Sequence, residues 1–446
     1  MKMKKTITTF LVLFVSFYAS AQYSRTSYFM EGASQRIQLN PALRPTKGFV
    51  DILAIGALNV SASTNAISVS DITTFIDSED EFYNRSKMYN RLKEDNRLNV
   101  NLNTDIISFG FYKGKGFWSA NIGLRTDIGA SIPKGMFEYA RDFYNEGVGK
   151  TGVYDIRNQS VNLNAYTEVG VGYSRIITDK LTVGAKVKFL LGIANAEIKL
   201  DQLYIDEGGT YTEIRSKGHI DVSMSGMDLE TSIDEDDGKE YIDDIDFDKF
   251  GFAGYGAGLD LGATYRVLDN LTVSASLLDL GFISWSAGST TSGKAAKDFR
   301  VDYDGTGYLG SDGIFDLELP GYEIVGSKSR TTSLAATFVV GGEYAFLNNK
   351  LSAGLLSVTR FGNPKTLSEI TLSANYRPKS WFNATFSYSL LQSGLKTFGL
   401  GVKVGPLFLA TDYMYLGDST KNANVYLGVS VPLGGSKNKK TKETYE

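Results

Sequence analysis

The chain has 446 residues, a formal net charge of −4, no cysteine and a single histidine. These counts exclude a disulfide framework, a thiolate metal site, a cysteine nucleophile, a lipidated N-terminal cysteine and a zinc site built from clustered histidines, and the acidic balance argues against a nucleic-acid partner. Glycine (47), tyrosine (26) and phenylalanine (26) are abundant while proline (8) is scarce, and the length fits either two or three soluble domains or one large barrel.

Met1 to Ala21 reads as a secretory signal. Lys2, Lys4 and Lys5 form its charged start, Phe10 to Phe17 its apolar stretch, and Ala19-Ser20-Ala21 a small-residue cleavage site. The mature chain is expected to begin at Gln22; loss of three lysines takes the charge from −4 to −7. No later run approaches the roughly 18 apolar residues of a membrane helix, so an exported chain with amphipathic strands points to a Gram-negative outer membrane.

Gln22 to Gly48 carries Tyr28-Phe-Met-Glu-Gly32 and then Gln38-Leu39-Asn40-Pro41-Ala42, with a second proline at Pro45. Prolines give no ladder donor, so this is not a central strand. The segment resembles the start of the FadL family of outer-membrane transporters for hydrophobic compounds, whose N-terminal hatch carries an Asn-Pro-Ala motif, and is similar in particular to a FadL-like barrel family of Bacteroidota. That resemblance implies a plug folded back into a barrel lumen, with Asn40, Pro41 and Ala42 on the ligand path. A reading from the residues alone makes Asn40-Pro41-Ala42 a turn before the first strand.

The first strand is expected from Phe49 to about Ser61, followed by a mixed-charge stretch with a short surface helix near Ser86 to Asp95. Strands follow at about 98–111 and 117–131, then an amphipathic helix at Pro133 to Tyr144, then strands at Ser160 to Arg175 and Lys180 to about Leu200. A hairpin unit recurs: a tyrosine closes one strand, a short polar turn follows, and about ten residues then alternate apolar with polar or small. It occurs at Tyr173, Tyr265, Tyr344 and Tyr376. After Asp269-Asn270, for instance, Leu271, Val273, Ala275 and Leu277 alternate with Thr272, Ser274 and Ser276. One apolar face, one polar face and an aromatic at the strand end are what a membrane barrel requires.

If all four tyrosine turns lie on the short-turn rim, only one upward and one downward strand can separate the first two. Tyr211 to Ser225 must then be an excursion in an outer loop. The remaining strands are expected near 254–266, 271–284, 332–345, 351–361, 367–377, 382–392, 396–404, 407–415 and 422–431, giving about fourteen, with both termini periplasmic and long outer loops at 62–97, 132–159, 201–253 and 285–331. The organisation is therefore a signal (1–21), a hatch (22–48), an all-β transmembrane antiparallel barrel (49–433) and a basic periplasmic tail (434–446).

Little here carries chemistry. His219 lacks the activated serine that a hydrolase would need, and reads as a loop residue. The acidic run Asp234 to Asp248 reads as a solvated loop or a calcium site, although Ile233 stands where an EF-hand needs its first ligand. Asp304-Gly305 and Asp312-Gly313 read as turns. The alternation turns Asp105, Arg125, Asp127, Lys186, Lys188, Asp260, Arg266, Glu343, Arg360, Arg377 and Lys403 inward, either as a mutually paired interior or as a net basic path for carboxylates.

The function expected is passive transport of small hydrophobic or amphipathic, fatty-acid-like molecules, without enzyme activity or cofactor. The partners are outer-membrane lipid and a hydrophobic ligand. The alternative is an interaction barrel with an outer-membrane or periplasmic protein partner, a subunit or anchor of a machine such as type IX secretion. An apolar lumen pocket facing the hatch would favour transport, and a filled lumen with large ordered loops would favour interaction.

Overall fold

The computed structural model describes residues 24–435 except 53–56, 148–149, 234–239, 248–250, 296–297, 303–321, 363–365, 380, 392–396 and 415–420. The signal, the tail from residue 436 on, the two Asp-Gly turns and the side chains of the acidic run lie outside the described residues, while Gly434 and Gly435, expected in the tail, belong to the last strand.

Fourteen spanning strands, all antiparallel to their neighbours, close on themselves. Strand 1 comes in two pieces, Lys47–Asp51 and Leu58–Thr64. Strands 2 to 7 are Asp95–Lys113, Gly116–Pro133, Thr151–Ile176, Leu181–Gly208, Gly254–Leu268 and Leu271–Trp285. Strand 8 is Arg330–Ser333 with Thr337–Phe346, and strands 9 to 14 are Leu351–Arg360, Leu367–Lys379, Phe382–Leu391, Phe398–Val404, Leu407–Met414 and Asn422–Gly435. Closure comes from strand 1 pairing with strand 14, Val50 facing Val431 and Leu58 facing Leu427.

Alternation explains the wall. Val187, Phe189, Val273, Phe338, Leu355, Phe386 and Leu409 are exposed on the outside, a continuous apolar surface far larger than a soluble protein tolerates. Tyr173, Tyr265, Tyr344 and Tyr376 are exposed near the short turns with Trp118 and Trp381, and the Trp118 and Tyr173 rings lie 4.6 Å apart. They form the aromatic girdle expected where hydrocarbon meets headgroups.

Tyr211–Met224 does not span. It folds back on the outer part of strand 5, Ala194 facing Met224 and Glu207 facing Thr212, and pairs on its other edge with Thr290–Ala295 and Phe299–Asp302. Strands 4 and 5 run for 26 and 28 residues, far beyond the roughly 9–11 that cross a bilayer, so sheet continues where loops at 132–159 and 201–253 are expected. The helix Lys134–Glu146 packs Tyr139 onto Ile156, Leu203 and Ile205 of this extension.

Between strands 1 and 2 the expected single helix is three short ones, Val69–Asp77, Glu79–Tyr83 and Ser86–Tyr89. The first has a capping box. The Ser68 hydroxyl accepts from Asp71 N at 3.3 Å, and the Asp71 carboxylate accepts from Ser68 N at 2.7 Å. Burial alone would raise the Asp71 pKa, but hydrogen bonds from Ser68 and Arg91 outweigh it and hold the carboxyl below its ordinary value.

Candidate functional site

Residues 24–46 are packed against luminal positions of strands on every side. Arg25 Nη1 reaches Glu369 of strand 10 at 2.5 Å, and the backbone N–H groups of Arg25 and Thr26 donate to Asp412 of strand 13 at 3.1 and 2.8 Å. The Tyr28 hydroxyl lies 2.9 Å from Ser274 Oγ, Arg377 Nη1 donates to Phe29 O at 2.9 Å, Ser276 Oγ donates to Leu39 O at 2.6 Å, and Gln38 Nε2 donates to Asp105 at 2.9 Å. Tyr28, Phe29, Leu39 and Leu43 cluster with Leu278, Val339 and Leu356, the apolar inward residues of strands 7 to 9.

Asn40-Pro41-Ala42 is a turn and is also inside the barrel. Asn40 Oδ1 accepts from Ala42 N at 2.9 Å, closing the turn across a residue that cannot donate, and its Nδ2 donates to Ala275 O at 3.1 Å. Strand glycines make the seats. A Cβ on Gly184 would stand 2.5 Å from the Pro41 carbonyl, on Gly262 2.1 Å from Asn40 Oδ1, and on Gly354 2.5 Å from the Phe29 ring.

The inward charges of strands 2 to 7 form one paired ribbon. Arg125 Nη2 meets Asp105 at 2.6 Å and Glu168 at 3.5 Å; Lys186 meets Glu168 at 2.5 Å. Lys188 then holds Asp260 at 2.8 Å and Asp279 at 2.6 Å. Elsewhere Arg377 pairs with Glu343 at 2.7 Å, Lys403 donates to Gly405 O at 2.7 Å, and Arg360 of strand 9 reaches across the lumen to Asp127 of strand 3 at 2.8 Å. Arg266 is exposed beside the 268–271 turn and takes no part. His219 is half-buried in the outer sheet, and among the described residues no group of three or more His, Asp or Glu side chains is arranged to hold a metal ion.

Sequence reasoning did not include Glu168, Asp279, Glu369 or Asp412. Glu168 follows the alternation of strand 4 and could have been found from it, since Tyr166 and Ser174 on its face are buried while Val171 and Tyr173 are exposed. Asp279 could not. Strict alternation puts it outside with Leu277, but Leu278 and Asp279 together oppose Asp260, and Asp279 adopts φ +57. This bulge turns its carboxylate inward onto Lys188, and its N–H donates to Asp260 at 2.8 Å.

Toward the long-loop rim lies a cavity of about 410 Å³. Its wall is built of horizontal rungs of paired residues: Asn101, Asp127, Asn164 and Asn195 face one another along strands 2 to 5, and Asn99, Gly129, Asn162 and Glu197 make the next rung. The opposite side is residues 331–335 and 360–362, including Leu334 and Phe361. Below, two cavities of about 10 and 20 Å³ adjoin Gln35, Gln38 and Ala57. Each has room for about one water.

Residues 41–412 match the family described as "Family of unknown function (DUF5723)". The chain belongs to the DUF5723 family. No curated protein matches it. Among solved structures it is similar to the Ralstonia pickettii toluene transporter TbuX, at 12% identity and TM-score 0.44 over 94% of this chain and 96% of that one. It is also similar to the Pseudomonas putida toluene transporter TodX, at 11% identity and TM-score 0.39 over 94% and 97% of the two chains. A third is a Pseudomonas aeruginosa FadL homologue, at 10% identity and TM-score 0.28 over 93% and 96%.

Proposed function

We propose that this DUF5723 barrel is a passive outer-membrane transporter for small molecules with an apolar part, and that residues 24–46 are its hatch. The observation that carries this reading is a step in the wall. From Asp51 facing Ser430 to Leu58 facing Leu427, strand 1 advances seven residues while strand 14 advances three. On its other edge, from Val50 facing Phe109 to Leu58 facing Thr104, it advances eight against five.

Both described flanks of this step stay bonded to the wall, Ile52 N donating to Val429 O at 2.9 Å and Asp105 N to Ala57 O at 3.3 Å, so the register changes within a few residues. On the luminal side, Ser34, Gln35 and Gln38 of the hatch stand beside Ala57, the described residue at the outer flank of the step. A molecule that enters from the outer cavity and lifts the hatch would reach the luminal side of this register step, and an apolar one is most stable in the lipid beyond the wall. The open volume of about 410 Å³ toward the outer rim supports transport, although its wall is asparagine-lined on one side and apolar only at Leu334 and Phe361; the filled lumen below it and the ordered outer sheet are features an interaction barrel would share.

The test is uptake of a radiolabelled medium-chain alcohol by a Gram-negative host with and without the barrel. Expression should raise the initial rate, while a polar solute of equal size enters no faster. Equal alcohol uptake in both hosts would overturn the proposal.

A further inference from the structure

The expectation of a fatty-acid-like ligand assigns the lumen a net basic path. The charges at the outer cavity run the other way. Of its lining residues, Asp127 and Glu197 are acidic and Arg360 is basic, a formal balance of −1, and Arg360 is already held by Asp127 at 2.8 Å. Arg330, next to this wall, spends its guanidinium on Asn195, on Ser223 Oγ at 2.9 Å and on Asp221 O at 3.2 Å. A carboxylate entering here would lose water without gaining a free cation, which is unfavourable.

The wall offers amides instead. Asn99, Asn101, Asn162 and Asn164 stand on two adjacent rungs, fixed by strand pairing rather than by loops. Asn101 is buried, and its Oδ1 has no hydrogen-bond partner. An amide both donates and accepts, as a hydroxyl does, so a row of amides matches a polyol. Across the cavity Leu334 and Phe361 supply an apolar side, and Leu334 packs on Trp285 and Tyr166.

We infer that the outer cavity binds the uncharged, hydroxyl-rich head of an amphipathic molecule against its asparagine rungs, with the apolar part on Leu334 and Phe361. The inference rests on the transport reading for its physiological meaning. The binding site itself is testable apart from it.

The experiment is calorimetric titration of the full chain in nanodiscs, free of glycoside detergent, with hexyl β-glucoside, hexanoate and hexylamine at neutral pH; empty nanodiscs correct for partitioning. Hexyl glucoside should bind saturably, and hexanoate and hexylamine at least tenfold more weakly. Asn101→Leu with Asn164→Leu should weaken the glucoside about tenfold, with Asn101→Ser as a milder variant should the pair fail to form a heat-modifiable barrel. Hexanoate or hexylamine binding as tightly as the glucoside, an unchanged affinity in the variants, or no saturable binding would overturn the inference. Alcohol uptake persisting without glucoside binding would remove the head-group site and leave transport standing, whereas glucoside binding without alcohol uptake would do the reverse.

Discussion

Giving Gly184 a side chain should unseat residues 24–46 without breaking the barrel. A Cβ there would lie 2.5 Å from the Pro41 carbonyl carbon and oxygen and 2.7 Å from Ala42 N. That is about 1 Å inside the roughly 3.5–4.0 Å separation at which atoms attract. The obstruction is backbone, so no rotamer change relieves it, and overpacking of this kind costs about 1–3 kcal/mol, with valine at the upper end. The corner is held by Asn40 Nδ2 to Ala275 O at 3.1 Å and Ser276 Oγ to Leu39 O at 2.6 Å. At a net contribution of about 1 kcal/mol each, these bonds are matched by the clash. Since about 1.4 kcal/mol is a factor of ten, the population with the corner displaced should rise tenfold or more.

The assay is sensitivity of intact cells to a bulky antibiotic, with gel mobility before and after heating to confirm a closed barrel. Gly184→Val should sensitise cells. Gly342→Ala, whose Cβ would have nothing within 4 Å, should not. A heat-modifiable Gly184→Val barrel with wild-type permeability would refute the reasoning that residues 24–46 close the lumen.

Lys188→Ala should leave Asp260, Asp279 and Glu168 facing one another without their shared cation, at a cost of about 3–5 kcal/mol, read as a lower temperature at which the fast-migrating gel band is lost. Cysteine at Gly288 should react with an impermeant reagent in intact cells, and cysteine at Asn270 only after lysis; labelling of both would contradict the assignment of rims. Asp71 has a folded pKa below its unfolded value of about 3.9, so its cap contributes stability above that value and loses it as pH falls through the lowered one. Proteolysis of the 65–94 connection should therefore be constant down to about pH 4 and rise below it, and Asp71→Ala should show the acid-state rate at neutral pH.

Much of the architecture was legible because the membrane imposes alternation on every strand. Parity alone removed Tyr211–Met224 from the wall, since a tyrosine turn at each of Tyr173 and Tyr265 leaves room for only two crossings. Strand ends outside the bilayer were not legible. Strand 5 continues from Leu200 to Gly208 because Tyr211–Met224 and the 134–146 helix cover it, and such cover is a tertiary fact with no periodicity of its own. Of the inward charges, Arg266 was placed by parity without regard to its closeness to the turn, and Asp279 was hidden by a bulge that reverses parity at one residue. The amide rungs were half visible, since Asn99, Asn101 and Asn103 alternate in the sequence. Their alignment with Asn162 and Asn164 depends on register between strands.

The order in which the hatch finds its partners has a consequence for assembly. Thr26 meets Asp412 across 386 residues, and Arg377 meets Phe29 across 348. These partners lie on strands 10 and 13, so the segment has nowhere to settle until nearly all the barrel has formed. Contacts of such separation form late in folding. Closure of the wall spans the same range, Val50 facing Val431 across 381 residues, so residues 24–46 and the seam both wait on the last strands, and until these arrive the lumen has neither its plug nor its final wall.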